Sequence, residues 1–285
     1  MVHTTYTKEE EQHHVKVVAK DVFFHAVIVC LFAYVATRNN IEDPRDLRLE
    51  SSLSKVITAF LMVVQIGYAW STLLTLMKDK RQDKNYSCKE VVGHFCFLTH
   101  ITFSVLTVYT TFGFIVHTAN YFGVNAPILY QTENMLHGIS LSVDTLGLAV
   151  TFLFLRLCWY EKNWVIMMKE IEKRIPNILQ NQMITHLVPL VHVFVDLFIF
   201  RDGTKVLKYG GSARTLTFVF AVIGVLFQSY LELLYYATGG CYPYPVLYKL
   251  NTLFKKLLFF VVVWLFTSFL AISLLFLLGV ATKYY

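Results

Sequence analysis

Polar segments divide this chain into apolar runs that cover residues 22–37, 56–77, 91–116, 138–155, 183–200, 216–236 and 257–280. Within each run the apolar residues are continuous rather than alternating, which speaks against the in–out pattern of a membrane barrel. Roughly 17–25 apolar residues carry a helix across a bilayer. Lipid offers no partner to an unpaired backbone group, so such runs must be helical. The pattern therefore predicts an all-α, multi-span transmembrane helical bundle of six to seven spans. The second, third, sixth and seventh runs are long and uninterrupted. The first, fourth and fifth are shorter or carry ionisable residues such as His25, Asp144 and Asp196. A polar leader, residues 1–20, precedes the first run. No repeat, low-complexity stretch or second soluble domain is visible, so 1–285 reads as a single integral membrane domain.

Composition supports the same class. Of 285 residues, 56% are hydrophobic and 15% charged, with a mean hydropathy of +0.53. A soluble domain carries about 25% charge. A disordered chain, a collagen-like chain and a nucleic-acid-binding domain with a charged face are excluded. The net charge of +6 comes from loops. Lys78, Lys80, Arg81, Lys84 and Lys89 crowd the second loop, and Arg156, Lys162, Lys169, Lys173 and Arg174 the fourth. The third loop, read as 117–137, has no Lys or Arg. Basic loops stay in the cytoplasm, which puts the N-terminus there and the third loop on the far side. The first and fifth loops also carry some basic residues, so the asymmetry is incomplete. Asn85-Tyr86-Ser87 is a glycosylation sequon, expected to be unused in so basic a loop. These features suit a multi-pass protein of the endoplasmic reticulum, another endomembrane or the plasma membrane. The five cysteines (Cys30, Cys88, Cys96, Cys158, Cys241) suggest neither a disulfide framework nor a zinc site.

Ionisable residues inside spans are costly and serve function by default. His192 and Asp196 stand four apart in the fifth run, on one helix face, where the acid can orient the imidazole. His137, Ser140 and Asp144 share a face of the fourth run. From spacing alone the commoner role of such groups is interhelical hydrogen bonding. Thr58 alone is equally ordinary, since a threonine in a membrane helix bonds back to the carbonyl a turn earlier. Zinc, phosphate-loop and serine-elbow motifs are absent, so no metal, cofactor, nucleotide or nucleic acid is called for.

The C-terminal third resembles the androgen-induced protein family, which includes the androgen-dependent regulator of tissue factor pathway inhibitor. Ile175-Pro176-Asn177-Ile178-Leu179 resembles the family's Tyr-Pro-Lys-Leu-Leu, and the frame runs on through Asn181, His192, Phe198-Ile199, Asp202 and Leu216-Thr217. Ala237-Thr238-Gly239 resembles Val-Thr-Gly, followed by Tyr242-Pro243 or Tyr244-Pro245. Thr58 with Gln65 matches the opening of the second span. The resemblance implies an intramembrane threonine hydrolase that cleaves fatty acid esters of hydroxy fatty acids, with Thr58 as nucleophile and His192 as base. Its partners are then the membrane and a lipid substrate drawn from the bilayer. Asp196 lies outside the family pattern, and its orienting role is inferred from spacing. Two departures stand out. Val188-Pro189-Leu190 replaces the family's Asn-His-Gly, and a rival placement of that His-Gly at His137-Gly138 aligns Ser140 with the catalytic histidine. The family is also usually counted at six spans, and with seven here the second and fifth helices would be antiparallel. The alternative class is a non-enzymatic membrane protein that binds lipid, signals or transports.

Overall fold

The computed structural model describes residues 8–38, 52–76, 91–160, 177–250 and 252–284, with isolated positions between 166 and 173. The second loop's lysines and the Asn85 sequon lie outside the described residues. Helices follow in the order α1 (Lys8–Arg38), α2 (Leu53–Leu76), α3 (Leu98–Tyr121), α4 (Pro127–Tyr160), α5 (Ile178–Val195), α6 (Gly203–Tyr209), α7 (Ala213–Ala237), α8 (Pro245–Lys249) and α9 (Leu253–Tyr284). Seven of them, all but α6 and α8, are long and apolar enough to cross a membrane. The chain is an all-α, multi-span bundle.

Two expectations need correction, and the first helix is longer than its apolar run. The first helix begins at Lys8, well inside the polar leader. The third run is not one helix. Gly93, at φ 65°, opens a 3-10 turn over Gly93–Cys96 before α3 begins. Asp21 of α1 holds this turn, accepting from the His94 backbone N–H at 2.7 Å and meeting His94 Nδ1 at 2.7 Å. Any Cβ at position 93 would strike the Asp21 carboxylate. The third loop is also far shorter than 117–137. α3 runs to Tyr121 and α4 starts at Pro127, where a proline's missing N–H costs nothing. Residues read as loop are thus helix, and Glu133 among them is buried.

The register follows from side-chain pairs. Thr99 meets His186, and Tyr109 meets Asp196; both pairs are 87 residues apart, so α3 and α5 run parallel. Thr151 meets His186 while Glu133 meets Arg201, so α4 runs antiparallel to α5. Ala59 and Met62 share a core with Phe200 and Val195, and Ile66 and Ala69 belong to the core that holds Val188 and Ile184. α2 is therefore antiparallel to α5, as a full set of seven crossings requires.

Two apolar cores flank the α4–α5 seam. One joins α4 and α5 to α7 and α9 through residues such as Leu148, Leu197, Phe220 and Leu274. The other joins α2, α3 and α4 through Ile66, Phe103 and Leu136. Small residues let the seam close. Gly147 of α4 faces Pro189 of α5, and a Cβ there would stand 3.2 Å from the proline Cβ. The Thr151 hydroxyl donates across the seam to the His186 carbonyl at 2.6 Å. The side facing away from these cores is apolar and exposed, with Phe218, Leu226, Phe269 and Phe276 among its residues, as a lipid-facing surface must be.

Candidate functional site

Tyr109 and His117 of α3, Glu133, His137 and Asp144 of α4, and His192 of α5 line one buried polar seam between the two cores. It is built around a local irregularity. α5 passes into a π-turn over Asp196–Phe200, closed by the Arg201 N–H donating to the Asp196 carbonyl at 2.8 Å. A widened turn brings residues five apart toward one face, and such turns often mark functional sites. Here it aims Asp196 and Arg201 together into the bundle.

Arg201 is the hub, with its side chain 1% exposed. Its Nε donates to the Tyr109 hydroxyl at 3.0 Å and to Asp196 Oδ1 at 3.3 Å. Its Nη1 donates to both oxygens of Glu133, at 3.1 and 3.0 Å. The Tyr109 hydroxyl in turn donates to Asp196 Oδ2 at 2.6 Å. The rings of Phe200 and Tyr109 cover the guanidinium at 4.8 and 4.9 Å. Arg201 is the first residue beyond its span. Burial works against its charge, but Tyr109, Glu133 and Asp196 outweigh burial and hold the guanidinium above its ordinary value. Glu133 also meets His117 Nε2 at 3.2 Å, and its carbonyl meets His137 Nδ1 at 2.8 Å. Asp202, next along the chain, caps α6. Partial burial opposes its charge, while hydrogen bonds from the Thr204 hydroxyl and the N–H groups of Lys205 and Thr204 hold its carboxyl below the ordinary value.

Deeper in the seam the groups are less committed. His192 is completely buried, and neither ring nitrogen has a hydrogen-bond partner. Its Nε2 stands 4.0 Å from Asp144 Oδ1. Asp144 is also completely buried, and its carboxyl abuts that of Asp196. A buried imidazole left open in this way is uncommon, since buried polar groups are normally paired. Among the described residues no group of three or more His, Cys, Asp or Glu side chains is arranged to hold a metal ion.

The residues expected from sequence fall as follows. Asp196 lies one turn from His192, but its carboxylate is engaged by Tyr109 and Arg201. The acid closest to a His192 nitrogen is Asp144, from the neighbouring helix. The Thr58 hydroxyl donates to its own helix, to the Ser54 carbonyl at 2.9 Å. Thr58 precedes Ala59, which packs at the level of Phe200 and Val195, so it stands by the Arg201 end of the seam. The rival pair His137 and Ser140 sits in α4, which runs parallel to α2 because α3 is antiparallel to both. His137 Nε2 is buried and unpartnered, and the Ser140 hydroxyl donates to the His137 carbonyl at 2.9 Å. Sequence reasoning missed Tyr109, Glu133 and Arg201. Glu133 falls in the stretch that the charge pattern reads as the third loop, Arg201 directly follows the fifth apolar run, and Tyr109 is one tyrosine in an apolar run. An arginine directly after a long apolar run was the available signal.

A model of the FAR-17a/AIG1-like protein family matches residues 53–278. The match begins at the first residue of α2 and takes in six of the seven candidate spans, leaving α1 outside. Neither a curated protein nor a solved structure matches.

Proposed function

The chain belongs to the FAR-17a/AIG1-like protein family, and from that premise we propose that it is an intramembrane lipid ester hydrolase. Thr58 is the nucleophile and His192 the base, acting on fatty acid esters of hydroxy fatty acids. The observation that carries this reading is the uncommitted His192 imidazole, fully buried with both nitrogens open. A threonine hydroxyl is a weak nucleophile that needs a base beside it. A neutral imidazole can take its proton as the ester carbonyl is attacked, then return it to the leaving alcohol. Water then releases the acid from the acyl-threonine. α2 packs directly on α5, so the two residues belong to facing helices. The reaction requires Thr58 to leave the Ser54 carbonyl and turn inward. The lipid-facing exterior suits a substrate with two long chains, which enters sideways from the bilayer.

A second reading is favoured by the Thr58–Ser54 hydrogen bond, the ordinary state of a threonine in a membrane helix. On that reading the protein binds lipid without cleaving it, and the seam is structural. An activity-based serine/threonine hydrolase probe, applied to membranes that contain the protein, separates the two. Labelling mapped to Thr58 and lost in His192→Ala supports the hydrolase. Abundant, folded protein that stays unlabelled supports the second reading.

A further inference from the structure

Two of the three nitrogens of the Arg201 guanidinium have hydrogen-bond partners, and one does not. Nε and Nη1 serve Tyr109, Asp196 and Glu133. Nη2 is buried and has no partner. An orphaned donor in the interior costs free energy, so something that accepts hydrogen bonds belongs there. Opposite Nη2 stands Gly113 of α3, where a Cβ would sit 3.1 Å from it, with the Phe200 ring next at 3.6 Å. Glycine keeps the approach to Nη2 free of a methyl group. Phe200 shares its core with Ala59 and Met62 of α2, so this donor lies at the end of the bundle where the Thr58 turn packs.

From the open Nη2, the glycine opposite it and the adjoining Thr58 turn, we propose that Arg201 Nη2 and Gly113 form a subsite for the uncharged carbonyl oxygen of a lipid ester. The charge balance selects an uncharged acceptor. The guanidinium already faces two carboxylates, Glu133 and Asp196. A third anion, such as a free fatty acid carboxylate, would be buried beside two carboxylates that already share this guanidinium, at a desolvation cost that the shared cation offsets poorly. A neutral carbonyl takes the hydrogen bond without that penalty, and becomes a better acceptor as negative charge develops on it. The assignment rests on the hydrolase reading for its meaning, though not for its test.

The test uses full-length protein in lipid nanodiscs carrying Thr58→Ala, which leaves the ester uncleaved. The probe is a fatty acid ester of a hydroxy fatty acid, carbon-13 labelled at the ester carbonyl and followed by infrared spectroscopy. A bound population with its carbonyl stretch shifted to lower frequency is expected. Adding Gly113→Ala presses a methyl against Nη2 and removes the shift; in the Thr58-intact protein it raises KM roughly tenfold or more, as loss of a charged hydrogen bond implies. Arg201→Lys, which keeps the charge but not the second terminal nitrogen, is the companion variant if Gly113→Ala does not fold. No shift in the Thr58→Ala protein overturns the subsite, with water the only occupant of Nη2. A shift that persists in either folded variant also overturns it. A shift that behaves as expected, in a protein that hydrolyses no ester, leaves the subsite standing and removes the hydrolase reading alone.

Discussion

Asp196 and Asp144 are both completely buried acids near His192, and they find different partners across the seam. Asp196 accepts from Tyr109 and Arg201. Removing it leaves the buried guanidinium with Glu133 as its one remaining carboxylate partner, and breaking a buried pair this way costs about 3–5 kcal/mol. Asp196→Ala should therefore show a large drop in unfolding temperature in detergent, with less protein reaching the membrane. Replacing Asp144 costs no bond from an N–H or a tyrosine hydroxyl, only its contact with the Asp196 carboxyl. Asp144→Asn should fold normally and lower ester turnover roughly tenfold, about 1.4 kcal/mol of transition-state stabilisation, because an amide beside His192 Nε2 cannot become a carboxylate as the imidazole takes up a proton. Equal turnover in wild type and Asp144→Asn would make Asp144 structural. The helical spacing of His192 and Asp196 was legible in the sequence, but their division of labour was not. It depends on which partner each carboxylate finds across the seam, and that lies in residues tens of positions away. Asp202 gives a pH test at the same scale. Its carboxyl is held below the ordinary 3.8, so its capping contribution is present above that value and fades as pH falls through the lower, folded one. Asp202→Ala should cost about 0.5–2 kcal/mol near neutrality, and the deficit measured by thermal unfolding should shrink at strongly acidic pH.

At the scale of elements, the apolar runs located every long helix, because burial in lipid demands length and hydrophobicity that no loop supplies. Their ends were misjudged where polar residues are buried inside protein rather than exposed to water. Glu133 and His117 made helical segments look like loop. The 3-10 turn at Gly93 was hidden in an apolar run, since its cause is a carboxylate on another helix. The π-turn was equally hidden, because nothing in Asp196–Phe200 marks it locally. The α4–α5 contact can be probed with two glycines. A leucine at Gly147 would meet Pro189 directly, whereas Gly224 has nothing within 4 Å. Gly147→Leu should lose at least about 1–3 kcal/mol through overpacking. Gly224→Leu, facing open space, should unfold no earlier than wild type in the same thermal scan.

For the whole molecule, seven spans put the N-terminus and the 122–126 loop on opposite sides of the membrane. The basic loops place the N-terminus in the cytoplasm by proposal, and an acceptor site inserted at Gly123 with a short spacer should then be glycosylated. Glycosylation at the native Asn85 would reverse that orientation. The antiparallel course of α2 and α5 bears on the chemistry as well, since it sets His192 on a helix entering from the other side, while His137 lies on a helix parallel to α2. The catalytic assignment therefore turns on comparing these histidines. The decisive measurement is hydrolysis of a branched fatty acid ester of a hydroxy fatty acid by purified protein. It compares wild type, Thr58→Ala, His192→Ala, their double mutant and His137→Ala, each first shown to reach the membrane at normal abundance. Residues that act as one unit lose activity together, so the account predicts that Thr58→Ala and His192→Ala are equally inactive, that the double mutant is scarcely worse than either, and that His137→Ala retains turnover. Wild-type rates in well-expressed Thr58→Ala, or activity that survives His192→Ala but not His137→Ala, would contradict it.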